Sequence, residues 1–152
     1  MEIDRDGLEV LDRVECLRLL AGASVGRVAG TSGALPVVLP LPYVLDGDSI
    51  VLETGLGSTV DFMSTGSVVA FEVDNLHERG RSSWTVMATG IAQPVLDDHE
   101  VDRLRALLPG DSPEQDARFL RLSLELVSGR RTHRTHRHAR SRAAARLAER
   151  VG

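Results

Sequence analysis

Val68-Val69-Ala70-Phe71-Glu72-Val73-Asp74-Asn75-Leu76, a polar break, and then Ser83-Trp84-Thr85-Val86-Met87-Ala88-Thr89-Gly90 form the stretch on which the fold turns. β-branched and apolar residues dominate both halves, and His77, Glu78, Arg79, Gly80, Arg81 and Ser82 separate them. That composition predicts two strands joined by a turn. Trp84, the single tryptophan, opens the second strand between the hydroxyls of Ser83 and Thr85. A ring at the mouth of a strand pair in a small barrel is suited to bordering a planar ligand.

The segments on either side extend the β pattern. Leu8, Leu11, Val14, Leu17 and Leu20 recur every three residues, widened by Cys16 and Leu19, which predicts an amphipathic helix starting near Asp6-Gly7. Residues 24–30 alternate small or apolar with polar, as a half-buried strand does. Residues 35–45 are extended but carry Pro36, Pro40 and Pro42. Prolines at even spacing remove ladder donors on one edge, so this strand is expected to be interrupted or to lie at an edge. Asp46-Gly47-Asp48 is a hairpin signal with residues 49–54 as the return strand, and a short helix is expected over 59–64. Asp97, Asp98 and Glu100 open a further helix with Val101, Leu104, Leu107 and Leu108 on its apolar face. Residues 117–127 alternate cleanly and predict one last strand. The fold class is mainly β: a six-stranded split barrel, Greek-key rather than up-and-down, with two or three short helices.

Composition narrows the function classes. A chain of 152 residues with 42% hydrophobic content suits one packed core, filled by Val, Leu and Ala because aromatics are only 3%. Cys16 is the single cysteine, so no intramolecular disulfide forms, and no apolar run is long enough to span a bilayer. With the acidic N-terminus these features place the chain in the cytoplasm as an expectation. All 18 basic residues are arginine, which excludes lysine Schiff bases and a phosphate-loop lysine. Residues 1–129 hold 21 acids against 10 arginines, whereas residues 130–152 hold 8 arginines against Glu149. Residues 1–131 are therefore expected to form the domain. Residues 132–152 read as a basic Arg/His-rich tail, disordered or partly helical, and the only route to nucleic acid.

The order of these elements resembles the pyridoxamine 5′-phosphate oxidase-like, FMN-binding split-barrel family, in a branch common in actinobacteria. Val25-Gly26-Arg27-Val28 resembles its "vGR(v/l)" strand, and Pro36-Val37-Val38-Leu39-Pro40-Leu41-Pro42-Tyr43 its proline-bearing strand. Phe71-Glu72-Val73-Asp74, Ser83-Trp84-Thr85-Val86 with Gly90, and Ser128-Gly129-Arg130-Arg131 are similar to three later motifs, in the right order. The resemblance implies a homodimer with sites at its interface. It also implies FMN, or in some branches the deazaflavin F420, as cofactor in an oxidoreductase acting on a small molecule.

The family's phosphate clamp is a pattern like "(f/i)-R-T…G-S-K-(l/v)". Here the arginine position reads Glu53 and the lysine position Thr59, within Glu53-Thr54-Gly55-Leu56-Gly57-Ser58-Thr59. The scaffold is kept and both cations are gone, so weak FMN binding is expected, with a site that holds no cofactor as the other reading. Under the resemblance the cofactor-binding candidates are Glu53, Thr54, Ser58, Thr59, Ser83, Trp84, Thr85 and Arg27. Arg79 and Arg81 are further possible sources of charge. Against each stands a structural alternative: a core or interface tryptophan, solvent-facing strand hydroxyls, and an ion-paired Arg27. No residue pattern specifies a catalytic acid or base, and none specifies a metal. The alternative function is a non-catalytic split barrel that binds a ligand or partner after losing the clamp.

Overall fold

The computed structural model describes residues 1–76, 82–108 and 117–132, with backbone alone at 62–64. The elements run β1 (Glu2–Ile3), β2 (Glu9–Leu11), α1 (Arg13–Ala21), β3 (Val25–Ser32), β4 (Leu35–Asp46), β5 (Ser49–Gly55) and α2 (Thr59–Ser64). Then follow β6 (Val68–Asn75), β7 (Trp84–Pro94), α3 (Asp98–Leu107), β8 (Ala117–Ser123) and β9 (Leu126–Arg131). The basic tail and the Arg79/Arg81 break lie outside the described residues.

Six strands close an antiparallel barrel in the order β7-β6-β3-β4-β5-β8, with β8 pairing back onto β7. The spatial run β6-β3-β4-β5 is a Greek key, as expected, because the strand that follows the β3-β4-β5 meander returns beside its first member. β7 divides its second edge: residues 84–89 pair with β9 and residues 92–94 with β8. That division is the split. β9 continues outward to β2 and β1.

Two local expectations are corrected, and a third holds over half its length. The first helix starts at Arg13, not near Asp6, because the Asp12 side chain accepts from Glu15 N at 2.8 Å and caps it. Residues 9–11 instead pair with β9. β4 is not interrupted. Its three prolines lie in residues 35–42, which pair with β3 alone, so the expected edge exists over that half, while residues 43–46 pair with β5. The single last strand is two strands, β8 and β9. The break comes where Leu124, fully buried, turns its amide to Asp48 O at 2.9 Å.

The main core joins barrel side chains to both end helices. Leu19, Leu20 and Cys16 enter from α1 and Val60 from α2, against Val28, Ile50, Leu52, Val69, Phe71, Val86 and Leu122. A second cluster lies outside the barrel, where Leu104 and Leu108 cover Val51 and Phe119. Phe71 meets Tyr43 edge to face, with centroids 4.9 Å apart. The tip of the Phe71 ring occupies the space over Gly26, so a Cβ added there would lie 2.1 Å from the ring. This explains the glycine between Val25 and Arg27: no larger residue fits under the ring without moving the core.

Gly26→Ala is expected to lower stability by about 1–3 kcal/mol or more, the usual cost of overpacking. Thermal unfolding checks it, and a midpoint equal to wild type would contradict this packing.

Candidate functional site

The corner between β5 and α2 follows from two short-range hydrogen-bond patterns. Ser58 sits before the first turn of α2 and its hydroxyl accepts from Asp61 N at 3.2 Å, a normal N-cap. The Thr54 and Ser58 hydroxyls stand 2.6 Å apart. Asp61, only 7% exposed, accepts from Gly57 N at 2.8 Å, from Thr65 Oγ1 at 3.2 Å and from Arg118 Nη1 at 3.1 Å. Burial pushes the Asp61 carboxyl up, but the Gly57 amide and the Arg118 guanidinium outweigh it and hold the group below its ordinary value. Arg118 arrives from β8 as the register partner of Thr54. Sequence reasoning missed it, because nothing local to residue 118 shows which strand it will pair with.

The eight predicted cofactor residues do not form one cradle. Thr54 and Ser58 come together, whereas Glu53 points to the other face of β5. Its register partner is Phe119, which packs with Val51 under α3. Thr59 is exposed at the start of α2. Arg27 lies on the outer face of the sheet and donates to Glu72 Oε2 and Asp74 Oδ2, both at 2.9 Å. Thr85 donates to Glu72 Oε1 at 2.9 Å on that same face. Trp84 takes the opposite face of β7, half-buried and packed against the barrel core. Ser83 binds through its backbone: its amide donates to Thr132 Oγ1 at 2.9 Å and its carbonyl accepts from Thr132 N at 2.8 Å.

The outer face itself is apolar and exposed. Register places Val38, Ala29, Ala70, Thr89 and Leu126 in one row across β4, β3, β6, β7 and β9. The adjacent row is Pro40, Arg27, Glu72, Met87 and Ser128. Val38 is 60% exposed, Val68 65% and Leu126 68%. The ion-paired Arg27 cluster therefore sits beside exposed Val38, Val68, Met87 and Leu126 on this face.

Known proteins match this chain along the barrel. The model of the pyridoxamine 5′-phosphate oxidase family matches residues 12–131. The chain belongs to the pyridoxamine 5′-phosphate oxidase-like family. An uncharacterised protein of Mycobacterium tuberculosis is 38% identical over 103 residues, covering 64% of this chain and 68% of that protein. Among solved structures, an FAD-binding protein of Mesorhizobium loti superposes with a TM-score of 0.68 at 28% identity. That alignment covers 82% of this chain and 96% of the other. A putative pyridoxamine 5′-phosphate oxidase of Corynebacterium glutamicum superposes with a TM-score of 0.71 at 24% identity, over 83% of this chain and 98% of the other, and shares the fold.

The family implies a flavin, and the residues present fit its ring better than a terminal phosphate. The outer sheet face offers apolar surface and hydroxyls. A phosphomonoester needs cations, yet each strand arginine already holds a carboxylate: Arg27, Arg118, Arg121, Arg130 and Arg131. Glu53, at the position where the resemblance implies a cation, is 9% exposed. Among the described residues no group of three metal-ligating side chains gathers.

Asp61→Asn is expected to destabilise the corner by about 1–2 kcal/mol at neutral pH, since it removes a charge-assisted partner of the part-exposed Arg118. A folded-state value below 3.8 stabilises the protein above that pH and is lost as pH falls through the depressed value. The wild-type advantage over Asp61→Asn should therefore shrink below the ordinary carboxyl range. Melting curves from pH 7 down to about pH 3 test it, and an advantage independent of pH would contradict it.

Proposed function

We propose that this chain binds a flavin on the outer face of its barrel and acts as a flavin-dependent oxidoreductase on a small molecule in the cytoplasm. The observation that carries this reading is the family match over residues 12–131, the same span that builds the closed barrel. The FAD-binding role of the 28% identical Mesorhizobium loti protein supports it. FMN and the deazaflavin F420 are the candidate cofactors. The bound group would supply the hydride chemistry, and the protein would bind, orient and shield it. His99, the one histidine among the described residues, is exposed on α3.

Visible absorbance and flavin fluorescence of the purified protein, before and after adding FMN, FAD, riboflavin or F420, test the reading. Saturable quenching with at least one of them is expected, followed by reoxidation of the reduced form by a small-molecule acceptor. No spectral change with any of the four would overturn it. Binding without electron transfer would support the second reading, a non-catalytic ligand-binding barrel, which the buried Glu53 at the clamp position favours.

The partner in this proposal is a second copy of the chain, seated on the apolar outer face. Val38, Val68, Met87, Ile91 and Leu126 are 60%, 65%, 41%, 49% and 68% exposed on strands linked in register. An exposed patch of this kind marks an interaction surface. Light scattering should give twice the chain mass at micromolar concentration, and Met87→Glu should shift the protein toward monomer. Monomer mass for the wild type would overturn the dimer.

A further inference from the structure

Pro36, Pro40 and Pro42 stand on one edge of the sheet. Their half of β4, residues 35–42, pairs with β3 and with no other strand among the described residues. Successive residues of a strand turn their backbone groups to opposite sides. Tyr43 N donates to Ser24 O at 3.1 Å, so the odd-numbered residues of β4 face β3. Asp46 and Ser49 pair across the two-residue turn, so the even-numbered residues face β5, and along 36–42 they face the free edge. The side chains agree: Val37, Leu39 and Leu41 pack on the core, whereas Pro36, Val38, Pro40 and Pro42 are exposed. Proline has no N–H, so Val38 carries the one outward donor of this stretch. The far end of the sheet, β1, is only two residues long and is blunt for that reason alone.

We propose that Pro36, Pro40 and Pro42 bar a second copy of this chain from the β4 edge, so that copies meet through the outer face and do not add strand to strand. An open edge is a template for another chain, and here it is continuous with the apolar face, because Val38, 60% exposed, belongs to both. A strand laid antiparallel along this edge needs a donor at every second residue, and it finds one only at Val38. The outer-face contact is that of the dimer reading above, on which the proposal rests for its second contact. The bar on the edge rests on the backbone of β4 itself. N–H groups restored at 36 and 40 would stand with Val38 as three outward donors at alternate residues, the pattern that binds an antiparallel strand. A chain that pairs through both its edge and its face links copies beyond two.

The experiment compares the full chain with a variant carrying Pro36→Ala and Pro40→Ala, by light scattering and by hydrogen exchange read with NMR, with melting curves to show that the variant is folded. In the wild type the Val38 amide is expected to exchange at least about tenfold faster than those of Val37 and Leu39, which β3 holds. The variant should reach at least about twice the wild-type mean mass at about 100 μM, and its new amides at 36 and 40 should become protected as the mass grows. A protected Val38 amide in the wild type overturns the proposal, because the edge would then already be paired. A folded variant with the wild-type mass also overturns it, and so does one that grows while amides 36 and 40 exchange freely. If the variant does not fold, the wild-type exchange decides alone. A monomeric wild type sinks the dimer reading by itself, and the mass of the variant relative to it still decides the edge.

Discussion

The structure depends on one strand serving three neighbours. β7 pairs along residues 84–91 with β6, and gives its other edge first to β9 and then to β8. Without the short contact of residues 92–94 with β8 the sheet would stay open, with β5 and β8 as its exposed end. Without the longer contact with β9, the segment β9-β2-β1 would have no sheet to join. The chain satisfies both by breaking its last extended stretch at Leu124, so that each half meets a different part of β7.

Closure places the core under tight steric limits. With few aromatics, Phe71 and Tyr43 fill the barrel centre among aliphatic side chains, and the backbone at Gly26 approaches the Phe71 ring closely. Gly129 stands in the same relation to Cys16 Sγ, which a Cβ would approach to 2.6 Å. These glycines belong to the motifs Val25-Gly26-Arg27 and Ser128-Gly129-Arg130, so what looks like a family signature is a packing requirement where backbone meets a buried side chain. Helices α1 and α2 seal the barrel by inserting Leu20 and Val60, and α3 covers the outer face of β5 and β8.

The same closure sorts the polar residues. Alternation along β5 sends Thr54 toward the α2 corner and Glu53 to the outside, although they are neighbours in sequence. Alternation along β7 sends Trp84 inward and Thr85 outward. A set of residues that looks like a single cradle in the sequence is thus distributed over two faces. The cations of the barrel strands are engaged by carboxylates: Arg27 by Glu72 and Asp74, Arg118 by Asp61, and Arg121 by Asp46.

Much was determined by the sequence alone. The β-rich composition, the strands at 68–75 and 84–94, the short helix at 59–64 and the motif order identified the family and the mainly β barrel, because alternation and turn chemistry are local properties. That positions 53 and 59 carry Glu and Thr rather than cations was equally legible, since charge is read directly from residue type. Pairing was not. Whether Arg27 is free or held by Glu72 and Asp74, that Arg118 meets Asp61, and that residues 117–131 form two strands all depend on which distant segments lie side by side. Register between strands far apart in the chain is set by closure of the barrel and burial of the shared core, and no window of sequence contains that information.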